Sequence, residues 1–455
     1  MNKNLIAGAL AALLISSCGD VAQKTGGETA YASRYKALPS VDTLLSGATI
    51  LTGTGDLIEN GEILIAAGRI SAVGIDLDAG SAVNVSGEGK WITPGIIDVH
   101  THLGVYASPG VDAHSDGNEM TDPVTAEVWA EHSVWPQDPG FVAALAGGVT
   151  TLQVLPGSGN LIGGRSVTLK NVPGRSVMDM KFPGAPYGLK MACGENPKSF
   201  YGGKGSAPMT RMGNVAGYRT AWIKAADYRD KLAAAADGKG EAPMRDLQLE
   251  TLAGVLDGEI LIHNHCYRAD EMAVMLEIAK EFDYQISTFH HAVEAYKIGD
   301  LLAANDTCSA VWADWWGFKM EAFDGIRVNA AILQSVGACA VIHSDDDLGM
   351  QRLNQETAKI LGAAAQAGME IPPETAIQWT TRNAAKSLGV LDQTGTLEAG
   401  KMADIVVWSG NPFSVYSKVD QVYIDGALIY DRSTPENNPV TDFTLGTAAT
   451  SGGAQ

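Results

Sequence analysis

The chain has 455 residues, of which 45% are hydrophobic and 18% charged; this supplies a large core and excludes an intrinsically disordered chain. A formal net charge of -20 makes a surface that repels phosphate backbones, so nucleic acid is excluded as a partner.

Residues 1–18 stand apart from the rest. Lys3 precedes an apolar run from Leu5 to Ile15, and Ser16, Ser17 and Cys18 follow. This is the pattern of a secretory signal, and the run is too short to span a membrane. Leu14-Ile-Ser-Ser-Cys18 resembles a bacterial lipobox. The resemblance implies lipidation at Cys18 and a periplasm-facing, membrane-anchored lipoprotein that meets the membrane only through its lipid. Residues 19–40, small and polar, read as a tether.

Short strands separated by glycine-rich turns are predicted at 44–51, 61–67, 69–73 and 82–86, and again at 405–408, 421–424 and 427–430. Two β-rich pieces at opposite ends predict one composite β-sandwich domain from residues 41–93 and 394–432. Residues 433–455 are a C-terminal tail. Between them, strands predicted at 96–102, 150–155, 166–169, 188–193, 260–265, 285–291, 309–315 and 339–345 alternate with helical patterns. Eight strands over residues 94–393 predict an α/β fold, a (β/α)8 TIM barrel, with an open doubly wound sheet as the competitor. Residues 194–244 form a long insertion, with a helix predicted from Arg211 to Ala236, placed to cover the barrel mouth. Cys193, Cys266, Cys308 and Cys339 lack metal-type spacing and fall in or beside strands, so buried free thiols are expected and no disulfide.

The first barrel strand ends in His100 and His102. Residues two apart on a strand face the same way, so both imidazoles enter one space, which is half of a tetrahedral metal site. Seven of the nine histidines, His100, His102, His263, His265, His290, His291 and His343, sit near the C-terminal ends of predicted strands, where a barrel gathers its active site. Lys190 lies in an apolar strand, where an unpaired charge is costly. Asp345 is the first carboxylate to emerge from the last strand. His114 and His132 read as surface residues.

Several segments together resemble the amidohydrolase superfamily, in its imidazolonepropionase-like and prolidase-like branch. They are Leu45-Ser-Gly-Ala-Thr-Ile-Leu51, Pro94-Gly-Ile-Ile-Asp-Val-His-Thr-His102, Gly147-Gly-Val-Thr-Thr151, His265-Cys-Tyr-Arg-Ala-Asp270, Asn383-Ala-Ala-Lys386 and Gly395-Thr-Leu-Glu-Ala-Gly-Lys-Met-Ala-Asp-Ile405. The resemblance implies two divalent metal ions, zinc in the first instance. His100, His102 and Asp345 hold one; His265 and His291 hold the other; a carboxylated Lys190 bridges them. Glu195 stays open as an alternative bridge. The family register makes His263 a deeper, supporting histidine and turns His290 toward a helix.

The chemistry implied is hydrolysis of a C–N bond in a small molecule such as a dipeptide or N-acyl amino acid. A metal-bridging hydroxide attacks, and Asp345 is general base and then acid. Arg268, Arg219, Tyr201, His263 and His343 are candidate substrate-binding residues, and the tryptophans of 312–316 a candidate apolar wall. A mononuclear cyclic-amide hydrolase or deaminase is the alternative enzyme, and an inactive lipid-anchored binding protein the alternative of another class. Self-association is left open.

Overall fold

Apolar, β-branched segments pair into two eight-stranded sheets in the computed structural model, which describes residues 30–441. The signal segment, Cys18, the first part of the expected tether and residues 442–455 lie outside the described residues. The front of the chain supplies β1 (Thr43–Leu51), β2 (Leu57–Ala66), β3 (Arg69–Gly74), β4 (Val83–Ser86) and β5 (Trp91–Pro94). The barrel follows with β6 (Ile96–Thr101), β7 (Val149–Val154), β8 (Ile162–Lys170), β9 (Tyr187–Ala192), β10 (Ile260–Cys266), β11 (Ile286–His291), β12 (Cys308–Val311) and β13 (Cys339–Ile342). The chain ends in β14 (Ile405–Trp408), β15 (Val419–Ile424) and β16 (Ala427–Asp431).

The two chain ends meet where β5 and β14 pair antiparallel, Trp91 opposite Trp408 and Pro94 opposite Ile405. These strands form the small β domain expected from the two chain ends, with a hydrogen-bonded order of β16-β15-β14-β5-β1-β2-β3 and β4 also on β1. Alternate residues, among them Leu45, Ile50, Ile63, Ile65, Ile92 and Ile405, point into a shared apolar cluster, the period-two pattern of a sheet with one buried face.

The barrel sheet runs β13-β12-β11-β10-β9-β8-β7-β6. Neighbours are parallel except around β8, which is antiparallel to both β7 and β9. The link at residues 155–161 explains this departure, since a parallel return needs a crossover of roughly a dozen residues or more. The ends of the sheet come together at β6 and β13. The Asp345 amide donates to the His100 carbonyl at 3.0 Å, the Ser344 amide donates to Asp98 Oδ1 at 3.2 Å, and the Ser344 hydroxyl donates to Asp98.

Two disulfides correct the expectation of free thiols: Cys193–Cys266 and Cys308–Cys339, with Cα separations of 5.2 and 4.5 Å. Each joins adjacent parallel strands. Cys308 and Cys339 are register partners, and Cys193 follows Ala192, the partner of His265. Only the register reveals this proximity, which meets the distance a disulfide requires.

Part of the expected tether is docked. The Ser33 hydroxyl donates to the Lys181 carbonyl at 2.6 Å and the Arg34 amide to the Met178 carbonyl at 2.8 Å. The Tyr35 hydroxyl donates to Asp425, joining a buried charge cluster. Lys170, at the end of β8, has no exposed side-chain surface and lies 3.1 Å from Asp404 and 2.9 Å from Asp425. This cluster ties the barrel to the small sheet. Lys170→Met is therefore expected to destabilise the protein by about 3–5 kcal/mol, because it strands two carboxylates without their cation; urea unfolding measures the loss.

The insertion carries helices Glu195–Gly203 and Arg211–Ala236. The second is capped by the Thr210 hydroxyl, which accepts from the Gly213 amide at 3.0 Å, as expected at a helix N-terminus. It buries Tyr218 and Trp222 in the barrel's main core, so this helix is packed against the body of the protein and is not a free lid.

Candidate metal centre

The C-terminal ends of the barrel strands bring five of the expected ligands into one cluster, with the sixth beside it. His102 Nε2 is 3.2 Å and His100 Nε2 3.3 Å from Asp345 Oδ1. His291 Nδ1 is 3.8 Å from the other Asp345 oxygen, and Lys190 Nζ is 3.1 Å from His100 Nε2. His265 packs its ring 4.5 Å from that of His291. Glu195, the alternative bridge, faces elsewhere: its carboxylate is 3.7 Å from Lys319 Nζ.

Backbone strain aims two of these groups. His291 has φ 70°, Ala292 φ 38° and Asp345 φ 54°, left-handed values that cost about 1–3 kcal/mol each in non-glycine residues. At His291 the twist breaks strand alternation. Adjacent histidines therefore both face the barrel interior, which corrects the expected orientation of His290 toward a helix.

His290 instead joins a buried imidazole chain. His100 Nδ1 and His290 Nδ1 are 2.9 Å apart, as are His290 Nε2 and His263 Nδ1. With His100 Nε2 turned to the cluster, its Nδ1–H donates to His290, whose Nε2–H donates to His263; the tautomers follow from this network. His102 is oriented separately, by Nδ1–H donation to the Leu155 carbonyl at 2.8 Å. His263, expected both as a deeper supporting histidine and as a candidate substrate contact, lies at the inner end of this chain. His290→Phe is expected to weaken metal affinity about 10–100-fold, the usual effect of removing a group that orients a ligand; competition with a chelator reads it.

Burial sets the electrostatics. It drives His100, His265, His290 and His291 well below the ordinary imidazole value and brings His263 and His343 to about 3, so all are neutral at neutral pH. It also pushes the Lys190 amine down to about 8 and Asp98 up to about 7. Burial alone would raise Asp345, but the hydrogen bond and charge of His102, with His343 and Lys190, hold it below the usual range.

This donor set fits divalent metal. The ligand atoms of His100, His102 and Asp345 lie within 4.8 Å of one another, as do those of His100, His291 and His343. Among the described residues, His265 Nδ1, His291 Nδ1 and both His343 nitrogens are buried without a hydrogen-bond partner. Such orphaned groups are costly unless something binds them, and neutral imidazoles beside a carboxylate suit zinc and similar ions. His343, expected as a substrate contact, lies in the same cluster, within 4.8 Å of ligand atoms of His100 and His291.

The other substrate candidates are engaged elsewhere. Arg268 and Arg211 both pair with the exposed Asp270 at 3.0 Å. Arg219 pairs with Glu281 at 2.6 Å in a surface groove that holds no histidine. The Tyr201 hydroxyl donates to the Asp122 carbonyl at 2.7 Å. Arg268, Arg219 and Tyr201, expected as substrate contacts, thus each have a partner within the chain. Residues not singled out from sequence stand closer. Asn196 Nδ2 is 3.4 Å from His265 Nε2, and Lys319 lies 4.0 Å over the Tyr267 ring. Strand alternation places Asp98 on the same face as His100, a signal present in the sequence; Lys319 carries none.

Comparison with known proteins agrees with this geometry. The family model described as "Amidohydrolase family" matches residues 324–429. The chain is 31% identical over 404 residues to amidohydrolase tasK of Hapsidospora irregularis, covering 83% of this chain but only 41% of that longer protein. It is 25% identical over 387 residues to an imidazolonepropionase of Mesorhizobium japonicum, covering 79% of this chain and 90% of the relative. The crystal structure of an amidohydrolase from Thermotoga maritima MSB8 superposes with a TM-score of 0.80 at 34% identity, covering 86% of this chain and all of that one. The chain therefore belongs to the amidohydrolase family and is a hydrolase acting on carbon–nitrogen bonds.

Proposed function

We propose that the protein is a binuclear metal-dependent amidohydrolase cleaving an amide or peptide-like bond of a small substrate, such as a dipeptide or N-acyl amino acid. The observation that carries this reading is the convergence of a buried lysine, a carboxylate and histidines, among which His265, His291 and His343 keep buried ring nitrogens without a hydrogen-bond partner among the described residues. His100, His102 and Asp345 would hold one ion, and His265 and His291 the other. Burial brings the Lys190 amine to about 8, which leaves a neutral fraction able to add carbon dioxide and, on releasing a proton to solvent, become a carbamate anion that would be the ligand shared by the two ions. When bound, divalent ions polarise the scissile carbonyl and bring the pKa of water toward neutrality.

The chain's own groups direct the rest. Water oxygen adds to the carbonyl carbon while Asp345 accepts its proton. The C–N bond then breaks, and Asp345 returns the proton to the leaving nitrogen, yielding a carboxylic acid and an amine. The two disulfides support an oxidising compartment, in keeping with a periplasm-facing lipoprotein anchored at Cys18.

The test is elemental analysis of the purified protein with a screen of dipeptides, N-acyl amino acids and lactams. Two metals per chain and release of an amine are expected. One metal per chain with activity confined to cyclic amides, or with ammonia release, would favour the mononuclear reading that the imidazolonepropionase likeness suggests.

A further inference from the structure

Beside the histidines lies a cavity of about 380 Å³ that no expected ligand explains. It is lined by His291, Trp312, Trp315, Arg327 and Asn329, among others, and its size falls within the range of small-molecule sites. Its wall is a stack of aromatic rings leading away from the metal centre. Trp312 lies 4.4 Å from the His291 ring at an interplanar angle of 26°, and Trp315 lies 4.9 Å from Trp312 at 18°. Trp312 is held there by donation from its indole N–H to the Ser344 carbonyl at 3.0 Å. Trp315 keeps 38% of its surface exposed, so one face is open to a ligand ring.

Two polar groups distinguish this cavity from an apolar crevice. Asn329 is 3% exposed, and its amide nitrogen donates to the Ala292 and Val293 carbonyls at 3.0 and 3.1 Å. Two carbonyl acceptors fix the nitrogen on that side, leaving Oδ1 buried without a partner among the described residues and able to accept an N–H. Arg327 has no acidic side chain within 4.0 Å among the described residues, whereas the other charged residue here, Asp314, is neutralised by Lys359 at 3.1 Å. The cavity thus offers aromatic faces, one amide-type acceptor and one uncommitted guanidinium suited to a carboxylate.

We infer that this cavity binds the amine half of the substrate and selects an aromatic amino acid with a free carboxylate, its ring against the open face of Trp315, which Trp312 backs, and its carboxylate on Arg327. This deepens the hydrolytic reading and rests on it. An N-acyl aromatic amino acid, or a dipeptide ending in one, is the substrate class.

The test compares the full-length protein with Trp315→Ala and Arg327→Gln, in two measurements. The first is kcat/KM for N-acetylphenylalanine, N-acetylalanine and the carboxylate-free N-(2-phenylethyl)acetamide; the second is calorimetric binding of 3-phenylpropanoate and propanoate. The wild type should prefer the phenylalanine over the alanine substrate by at least ~10-fold, the scale of pocket discrimination, and Trp315→Ala should collapse that ratio. Arg327→Gln should cut kcat/KM for the two acids at least ~10-fold more than for the carboxylate-free amide and abolish 3-phenylpropanoate binding. Unchanged ratios in the variants, with hydrolysis intact, would overturn the subsite and leave the reaction standing. Binding of 3-phenylpropanoate lost in Arg327→Gln, with no amide hydrolysed by the wild type, would retain the subsite and overturn the reaction. Neither binding nor hydrolysis would overturn both.

Discussion

Asp345→Asn is expected to lose about two to four orders of magnitude in kcat, the range for removing a general acid–base group, while keeping its metal. The amide has the same shape and still presents an oxygen toward His100 and His102, which lie 3.3 and 3.2 Å from the present carboxylate oxygen. What it lacks is basicity. In the native protein the carboxylate is held below the usual aspartate range, so it is ionised at neutral pH and ready to accept a proton. Its left-handed backbone, φ 54°, is tolerated by asparagine as well as aspartate, so folding should survive the change. The measurement pairs steady-state kinetics with elemental analysis. Full activity at unchanged metal content would remove Asp345 from the proton-transfer role.

Lys190→Ala should have a comparable effect through a different cause, losing activity together with the second metal equivalent. The lysine is fully buried and sits 3.1 Å from His100, with no ion-pair partner among the described residues. Isotopically labelled bicarbonate should give a carbamate carbon resonance in the wild type and none in Lys190→Ala, a readout independent of catalysis. In metal-free, carbon-dioxide-free protein, burial lowers the amine from 10.5 to about 8. Between those values the unfolded chain binds more protons than the folded one, so stability should rise with pH across that window. Lys190→Met should remove the rise, as measured by the urea midpoint against pH.

The difference between these two residues and the arginines shows where sequence reading stopped. Lys190 and Asp345 were legible because one interrupts an apolar strand and the other is the first carboxylate to follow one, and a buried charge demands a chemical reason. Arg268 and Arg219 offered only a charge near a loop, and surface carboxylates at Asp270 and Glu281 satisfy them. The pairing of Cys193 with Cys266 and of Cys308 with Cys339 was hidden for a related reason, since neither spacing nor composition carries register.

By itself the sequence determined the barrel, the composite sheet from both chain ends and the set of strand-end histidines, because period-two alternation and helical periodicity are local properties of the backbone. Tertiary structure decided what depends on distance. The strained φ of His291 brought His290 inward, strand register closed the disulfides, and the link between β12 and β13 set Trp312, Trp315, Arg327 and Asn329 around one cavity. Residues far apart in the chain acquire a shared chemistry only once packing has fixed which of their partners are already taken.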